Sequence, residues 1–372
     1  MQPDGLFLSA IPGLEAPVAE EARAAGFTVE DQVPGGVEVA GGWLEAMRAN
    51  LVLRGPSRVL VRLASFRALH LAQLDKRLRK LDWGALLPTD RPVRVDAVTR
   101  KSRIYHDRAA AQRLSRALED MLSVKTVSGA DPAALSIKLR IDDDLATLSL
   151  DTSGAPLHRR GHKQAIGKAP LRETMAAMFL RQCGYDGTEP VVDPMCGSGT
   201  IPISAAEIAL GLAPGRDRDF AFQALRNFDA ATWAEMKAAP ITAPGPSLRF
   251  HGSDRDDGAV RMASDNAARA GVGSVCLLSR AAISELTPPA GPPGLVMVNP
   301  PYGGRVGKRG PLHALYGTLG KVLMERFSSW RVGIVTSEPA LARTTDLPFL
   351  ADGPLVAHGG MKVRLYRTDT LS

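Results

Sequence analysis

The chain has 372 residues, with 46 Lys plus Arg against 39 Asp plus Glu, a formal net charge of +7, and 45% hydrophobic residues. That length accommodates two or three domains with substantial cores, and the absence of a long apolar run or a charged N-terminal leader argues against a membrane span or an export signal. Cys183, Cys196 and Cys276 form no CxxC pair and the histidines show no ligand spacing, so a soluble cytoplasmic protein without a metal site is expected.

Leu6–Ala10 reads as a strand and Pro12–Ala25 as an amphipathic helix ending at Gly26. Phe27–Val29 and Gly36–Val39 read as strands around a Pro34-Gly35-Gly36 turn, Trp43–Leu53 as a helix and Arg58–Leu63 as an alternating strand. This is a small α+β unit of ferredoxin-like type. A second unit follows, with helices at Leu69–Leu78 and Ala109–Leu122 and strands at Val93–Val98, Leu135–Ile141 and Leu145–Leu150. Asp142-Asp143-Asp144 between the last two strands reads as hairpin punctuation, since three adjacent carboxylates cannot all face one ion.

Charge is uneven along this half. Residues 1–53 hold two basic and eight acidic side chains, whereas residues 54–116 hold sixteen basic and five acidic ones. The basic block includes Arg77, Lys80, Arg100, Lys101, Arg103 and Arg108. A one-sign block confined to one region points to a nucleic-acid backbone, although a single cluster of charge is ordinarily a solvated face. Residues 154–168 form a basic connector with Arg159, Arg160, His162, Lys163 and Lys168, either a plain linker or a strap that contacts RNA.

Val191-Val192-Asp193 reads as a short buried strand, Ile201–Leu210 as an Ala-rich helix, and Pro194-Met195-Cys196-Gly197-Ser198-Gly199-Thr200 as the turn between them. Gly197 and Gly199 let the backbone approach a ligand closely. Neither the Gly-Lys-Ser/Thr of a P-loop nor the third glycine of a dinucleotide fingerprint is present. Asp193 just before the turn suits an ammonium better than a phosphate, so a cationic amino-acid derivative is the expected ligand. Cys196 is read as a small residue packing beneath that ligand rather than a nucleophile. Ser247–Asp254 reads as a strand ending in an acid placed to accept from ribose hydroxyls, and a helix then closes at Gly271. Pro240–Pro246 and Pro288–Pro293 read as surface loops. Leu295–Val298 is an apolar strand broken by Asn299-Pro300-Pro301-Tyr302, a rigid turn that presents a carboxamide, free carbonyls and a ring, the set that a planar amine needs. Arg331–Thr336 and Lys362–Arg367 supply the last strands, closing in an antiparallel hairpin.

Together these motifs resemble the class I S-adenosylmethionine-dependent amino-methyltransferases. Asp193–Thr200, Leu212–Arg216, Asn299–Gly303, Leu157–His162 and Ala169–Glu173 resemble the THUMP-domain RNA guanine-N2 methyltransferases, nearest to the bacterial large-subunit ribosomal RNA enzymes in a form with one methyltransferase domain. The resemblance implies an α/β fold: a ferredoxin-like domain at 1–65, a THUMP RNA-binding domain at 66–153, the linker at 154–168, and a Rossmann-like, mostly parallel seven-stranded methyltransferase domain at 169–372. In some bacterial relatives a second methyltransferase domain follows the first, and none is expected in these 372 residues.

The resemblance also implies roles. Asn299, Pro300 and Tyr302 would hold the acceptor amine, and Asp193, Pro194, Cys196, Gly197, Gly199, Thr200 and Asp254 the donor. Ser279 stands where relatives carry an Asp that contacts adenine, so Ser279 or backbone atoms would hold that ring. Arg77, Lys80, Arg100, Lys101, Arg103, Arg108, Arg159 and Arg160 would contact RNA. The implied product is N2-methylguanosine in large-subunit rRNA. Alternatives are transfer RNA guanine, DNA adenine or protein glutamine as acceptor, and an RNA-binding assembly factor with a vestigial donor site.

Overall fold

Apolar side chains recur at every second position in most strands of the N-terminal half, and the fold pairs those strands into one sheet. The structure, a computed structural model, describes residues 2–129, 131–164, 171–238, 248–303 and 309–372. Lys168 and the Pro240–Pro246 stretch lie outside the described residues. Two compact units form, and each takes a segment from the other's part of the sequence.

The first unit comprises the described residues of 1–10, 18–157 and 215–239. Its elements run β1 (Gly5–Ser9), α1 (Glu15–Ala24), β2 (Val29–Val33), β3 (Gly36–Val39), α2 (Trp43–Val52), β4 (Arg58–Arg67), α3 (Leu71–Leu78), β5 (Val93–Arg100), α4 (Asp107–Leu122), β6 (Thr126–Val127), β7 (Leu135–Asp142) and β8 (Leu145–Asp151). The strands form one eight-stranded sheet in the order β2-β3-β1-β4-β8-β7-β5-β6. The ten-residue β4 pairs antiparallel with β1 along Arg58–Arg62 and with β8 along Leu60–Arg67, so the boundary expected after residue 65 falls inside a strand. The Asp143 and Asp144 backbones lie at φ 51° and 60°, which turns β7 tightly into β8. Helix α4 buries Ala110, Leu114, Ala117 and Leu118, the spacing of one helical face.

Residues 215–238 return to this unit from the middle of the sequence that forms the second unit. The Gly215 N–H donates to Leu51 O at 3.0 Å and the Phe222 N–H to Thr152 O at 3.1 Å. Phe220, Phe222 and Trp233 then pack ring against ring at 5.1–5.7 Å. Gly215 is required there because a side chain's first carbon would stand 2.6 Å from Asn50 O.

The second unit comprises the described residues of 11–17, 158–214 and 240–372. It contains α5 (Glu173–Gln182), β9 (Val191–Asp193), α6 (Thr200–Ala209), β10 (Phe250–Asp254), α8 (Asp257–Arg269), β11 (Cys276–Arg280), β12 (Leu295–Val298), α9 (Arg309–Arg326), β13 (Arg331–Thr336), α10 (Pro339–Thr344), β14 (Val356–His358) and β15 (Met361–Arg367), while α7 (Ala230–Ala238) belongs to the first unit. Its seven-stranded sheet has the order β11-β10-β9-β12-β13-β15-β14. The first five are parallel, and β15 and β14 add the antiparallel edge. Strand order reverses between β9 and β12, and ligands of open α/β sheets bind outside the carboxyl ends of strands at such a point. Among the described residues no helix is long and apolar enough to cross a membrane.

Candidate active site

Three chemistry-bearing turns leave the carboxyl ends of neighbouring strands in the second unit. Strand β9 ends at Asp193, with Gly252 of β10 beside it, and Val192 pairs with Val296 of β12. Asp193, Asp254 and Asn299 therefore gather at one end of three adjacent strands, spread over roughly 10 Å at the usual interstrand spacing.

The β9–α6 loop is built for close approach. Gly197 takes φ 51°, and nothing lies within 4 Å of where a side chain's first carbon would stand. At Gly199, φ 82°, a side chain's first carbon would instead stand 3.0 Å from the Ala263 methyl of α8. Asp254 fixes the loop from the next strand: its Oδ2 accepts from the Gly197 N–H at 3.1 Å and its Oδ1 from the Asp256 N–H at 2.9 Å. Ser253 O accepts from the Cys196 N–H at 2.9 Å. Cys196 is buried against Gly252, whose absent side chain would meet Cys196 Cβ at 3.1 Å. Burial raises its thiol pKa, with the charges of Asp193 and Asp254 adding, so the thiol is an inert support for the loop.

Asp193 is buried, and among the described residues its carboxylate accepts from the Met195 N–H at 3.1 Å. Burial pushes its pKa up to about 8; the Met195 hydrogen bond opposes this and the Asp254 charge adds to it. A cation brought beside this carboxyl would favour its charged form and lower the pKa again. Pro194 is buried beside it. Thr200 opens α6, and its Oγ1 accepts from Lys163 Nζ at 2.8 Å. Lys163 also donates to Leu171 O at 2.7 Å and stands 3.7 Å from Glu173 Oε1. Burial lowers the Lys163 pKa, with Glu173 opposing. Asn266 of α8 adds a further brace, donating from Nδ2 to Ser198 O at 3.0 Å.

At the end of β12, Asn299 Oδ1 is buried and has no hydrogen-bond partner among the described residues. Pro301 O accepts from Tyr316 OH at 3.4 Å. Tyr302 is 6% exposed, its hydroxyl is unpartnered among the described residues, and burial pushes its pKa to about 12. The turn joining β14 to β15 reaches the same place, since Met361 Sδ stands 3.8 Å from where a Gly303 side chain would begin. Ser279 is exposed near the end of the edge strand β11, in register with Ser253.

The residues expected to meet RNA divide. Arg160 is corrected: its side chain is 1% exposed and pairs through Nη1 with Glu207 Oε2 at 2.6 Å. It is a buried structural cation, while Arg159 is exposed. In the first unit Arg77, Lys80, Arg100, Lys101, Arg103 and Arg108 are all exposed, but they do not form one cluster. Arg100–Arg108 precede and open α4, whereas Arg79, between Arg77 and Lys80, meets Asp120 at 2.7 Å near the helix's other end. Thirteen helical residues separate Asp107 from Asp120, about 20 Å of rise. No group of three or more His, Cys, Asp or Glu among the described residues could hold a metal ion.

Sequence inspection missed Lys163, Asn266 and Gly252 as parts of the site. Lys163 sits in a basic segment where nothing separates a buried lysine from a solvated one. Gly252 did carry a signal, because glycine inside a strand marks close backbone approach.

Residues 160–349 match the family described as UPF0020: RMKL-like, methyltransferase domain, and residues 5–60 match the RlmL ferredoxin-like domain. The chain is 34% identical over 357 residues to the ribosomal RNA large subunit methyltransferase K/L of Syntrophotalea carbinolica, a match covering 92% of this chain and 50% of that protein. It thus spans about half the length of that curated relative. A Clostridium difficile 630 protein shares the fold, with a TM-score of 0.87 at 24% identity over 100% of this chain and 99% of its own. SMU.472, solved in complex with SAH, gives a TM-score of 0.84 at 25% identity over 100% of this chain and 99% of its own.

Proposed function

Because the chain belongs to the RMKL-like methyltransferase family, we propose that it transfers a methyl group from S-adenosylmethionine to the N2 amine of guanine in large-subunit ribosomal RNA. The observation that carries the reading is Asn299 Oδ1, a buried acceptor without a partner among the described residues, at the end of the strand beside the glycine loop. An unpaired buried acceptor costs about 1–3 kcal/mol, and an acceptor amine hydrogen relieves that cost.

The residues fit the donor. Asp193 offers a buried carboxylate to its ammonium, the Asp254 oxygens keep lone pairs for ribose hydroxyls, and Gly197 leaves open space for close approach. Ser279 or neighbouring backbone meets the adenine. When bound, the donor supplies an electrophilic methyl on sulfur. Asn299 Oδ1 and the Pro300 carbonyl accept the two amine hydrogens, which turns the nitrogen lone pair out of the guanine ring. Tyr302 forms a wall of the acceptor site. No strong general base is needed, because the amine proton becomes acidic once the new N–C bond forms. The target base must leave its helix to reach this turn. The first unit supplies the RNA grip, as a THUMP-containing module, through its exposed arginines and lysines, and the reaction takes place in the cytoplasm.

The SAH bound to SMU.472 and the name of the Syntrophotalea carbinolica relative support the donor and the acceptor class, respectively. The test is transfer of labelled methyl to total RNA, and in parallel to DNA and protein, from a strain lacking the protein, with the labelled RNA read by nucleoside mass spectrometry. N2-methylguanosine in large-subunit rRNA is the expected product. The same nucleoside in transfer RNA, or label only in DNA or protein, overturns the acceptor assignment.

A further inference from the structure

The loop between β5 and α4 carries an aromatic pair that the transfer chemistry leaves unused. Tyr105 is 71% exposed, whereas the other four tyrosines, Tyr185, Tyr302, Tyr316 and Tyr366, are buried. His106 lies against it, with ring centroids 4.1 Å apart and planes tilted by 46°. A tyrosine left in water contributes little to folding, since its ring area is not removed from solvent.

The loop that holds this pair is fixed at both ends. The Thr99 backbone N–H and hydroxyl both donate to Asp107 Oδ1, at 2.7 and 2.6 Å. On the other side the Arg103 N–H donates to Asp144 Oδ1 at 2.7 Å, and the Asp144 N–H donates to Ser102 Oγ at 3.0 Å. Ser102 Oγ donates in turn to Arg100 O at 2.6 Å, and Ile104 is buried beneath. The carboxylates of the hairpin turn therefore brace the loop. Arg100, Lys101, Arg103 and Arg108 flank Tyr105 in the sequence, all exposed. The Arg100 and Arg103 side chains make long ion contacts to Asp142 and Asp144, at 3.9 and 3.8 Å.

We propose that Tyr105, backed by His106, is a stacking platform for an unpaired base of RNA, with Lys101 and Arg108 meeting the flanking phosphates. Rigid aromatic faces set among cations bind single strands in this way, the ring taking the base and the cations the backbone. The inference rests on the RNA reading above and names a grip on the substrate in the unit that does not hold the transfer site.

The test uses the full chain and a short single-stranded oligoriboadenylate containing one 2-aminopurine. Tyr105→Ala should weaken binding about 5- to 150-fold, the range of one base–aromatic stack, and abolish the quenching of 2-aminopurine on binding. Tyr105→Trp should retain both. The slope of log affinity against log salt should not change in Tyr105→Ala, whereas Lys101→Ala should reduce its magnitude by about 0.7, one phosphate contact on a single strand. An unchanged urea midpoint for Tyr105→Ala excludes a folding defect. Wild-type affinity and quenching in Tyr105→Ala overturn the platform. If wild type still methylates rRNA in that case, the functional reading stands without it. If wild type methylates only DNA or protein, both readings fall together.

Discussion

Arg160→Met separates two roles for a cation that precedes a catalytic domain: phosphate ligand or buried counter-charge. The Arg160–Glu207 pair is 2.6 Å long, with side chains 1% and 0% exposed. At an effective dielectric of about 20 such a contact is worth about 6 kcal/mol, most of it offset by removing both ions from water. Arg160 Nε and Nη2 are buried without partners among the described residues, so the guanidinium is only partly compensated. Removing one member of a pair of this kind costs about 3–5 kcal/mol. Arg160→Met withdraws the cation from Glu207 and should destabilise the second unit by that amount. Arg160→Met with Glu207→Leu should recover wild-type stability or exceed it by about 1–4 kcal/mol. Hydrogen exchange of the α6 amides under graded urea reads the unit that contains the pair, and an RNA-binding salt titration runs beside it. The expected result is lost α6 protection with an unchanged salt slope. Unchanged protection with a slope reduced by about 1 would make Arg160 a phosphate ligand and refute the argument.

Asn299→Ala should lower kcat by about 10²–10³ while donor affinity measured by calorimetry stays put, since it removes an acceptor that serves the amine. A parallel loss of both would exclude that role. Asp193 has a folded pKa of about 8, above its unfolded value, so its contribution to stability is fully present below pH about 4 and disappears as pH rises through about 8. Asp193→Asn should flatten urea stability across that window; a wild-type slope in the variant would sink the assignment. In the same window donor binding should release a proton, visible as a dependence of the calorimetric heat on buffer ionisation enthalpy. Gly252→Ala places a carbon 2.6 Å from Leu278 Cδ2 and 3.1 Å from Cys196 Cβ, so it should cost about 1–3 kcal/mol in urea unfolding and weaken donor binding through the displaced loop. Gly197→Ala meets no atom within 4 Å and should instead cost about 1–2 kcal/mol of backbone strain at φ 51°.

The site was legible where local chemistry and strand endings coincide. Asp193, Asp254 and Asn299 each close or follow a strand, and a parallel sheet brings such ends together whatever the intervening helices do. Legibility failed where a residue's environment depends on distant parts of the chain. A buried arginine such as Arg160 has the same one-letter signature as a solvated one, and only Glu207, 47 residues on, makes it structural. Helix α9 drew no reading from the sequence. It carries Gly310, Pro311, Gly317 and Gly320, and Gly320 is there because a side chain would begin 1.8 Å from Thr345 O. Close packing of that helix outweighs the roughly 1 kcal/mol that each interior glycine costs.

Domain limits follow the same physics. A composition shift marks a linker only when few contacts cross it, and β4 violates this by pairing with β1 on one side and β8 on the other. The hydrogen bonds of one strand thus bind the ferredoxin-like segment to the strands after it in a single sheet. Residues 215–238 extend the point, because their aromatic cluster is served by partners more than sixty residues earlier in the chain. A truncated chain beginning at residue 169 would therefore carry Phe220, Phe222 and Trp233 without the unit they pack in. It should expose those rings and bind a hydrophobic dye, whereas the full chain should not. A dye-free, cooperatively folding 169–372 fragment would show that this segment folds with the catalytic sheet after all.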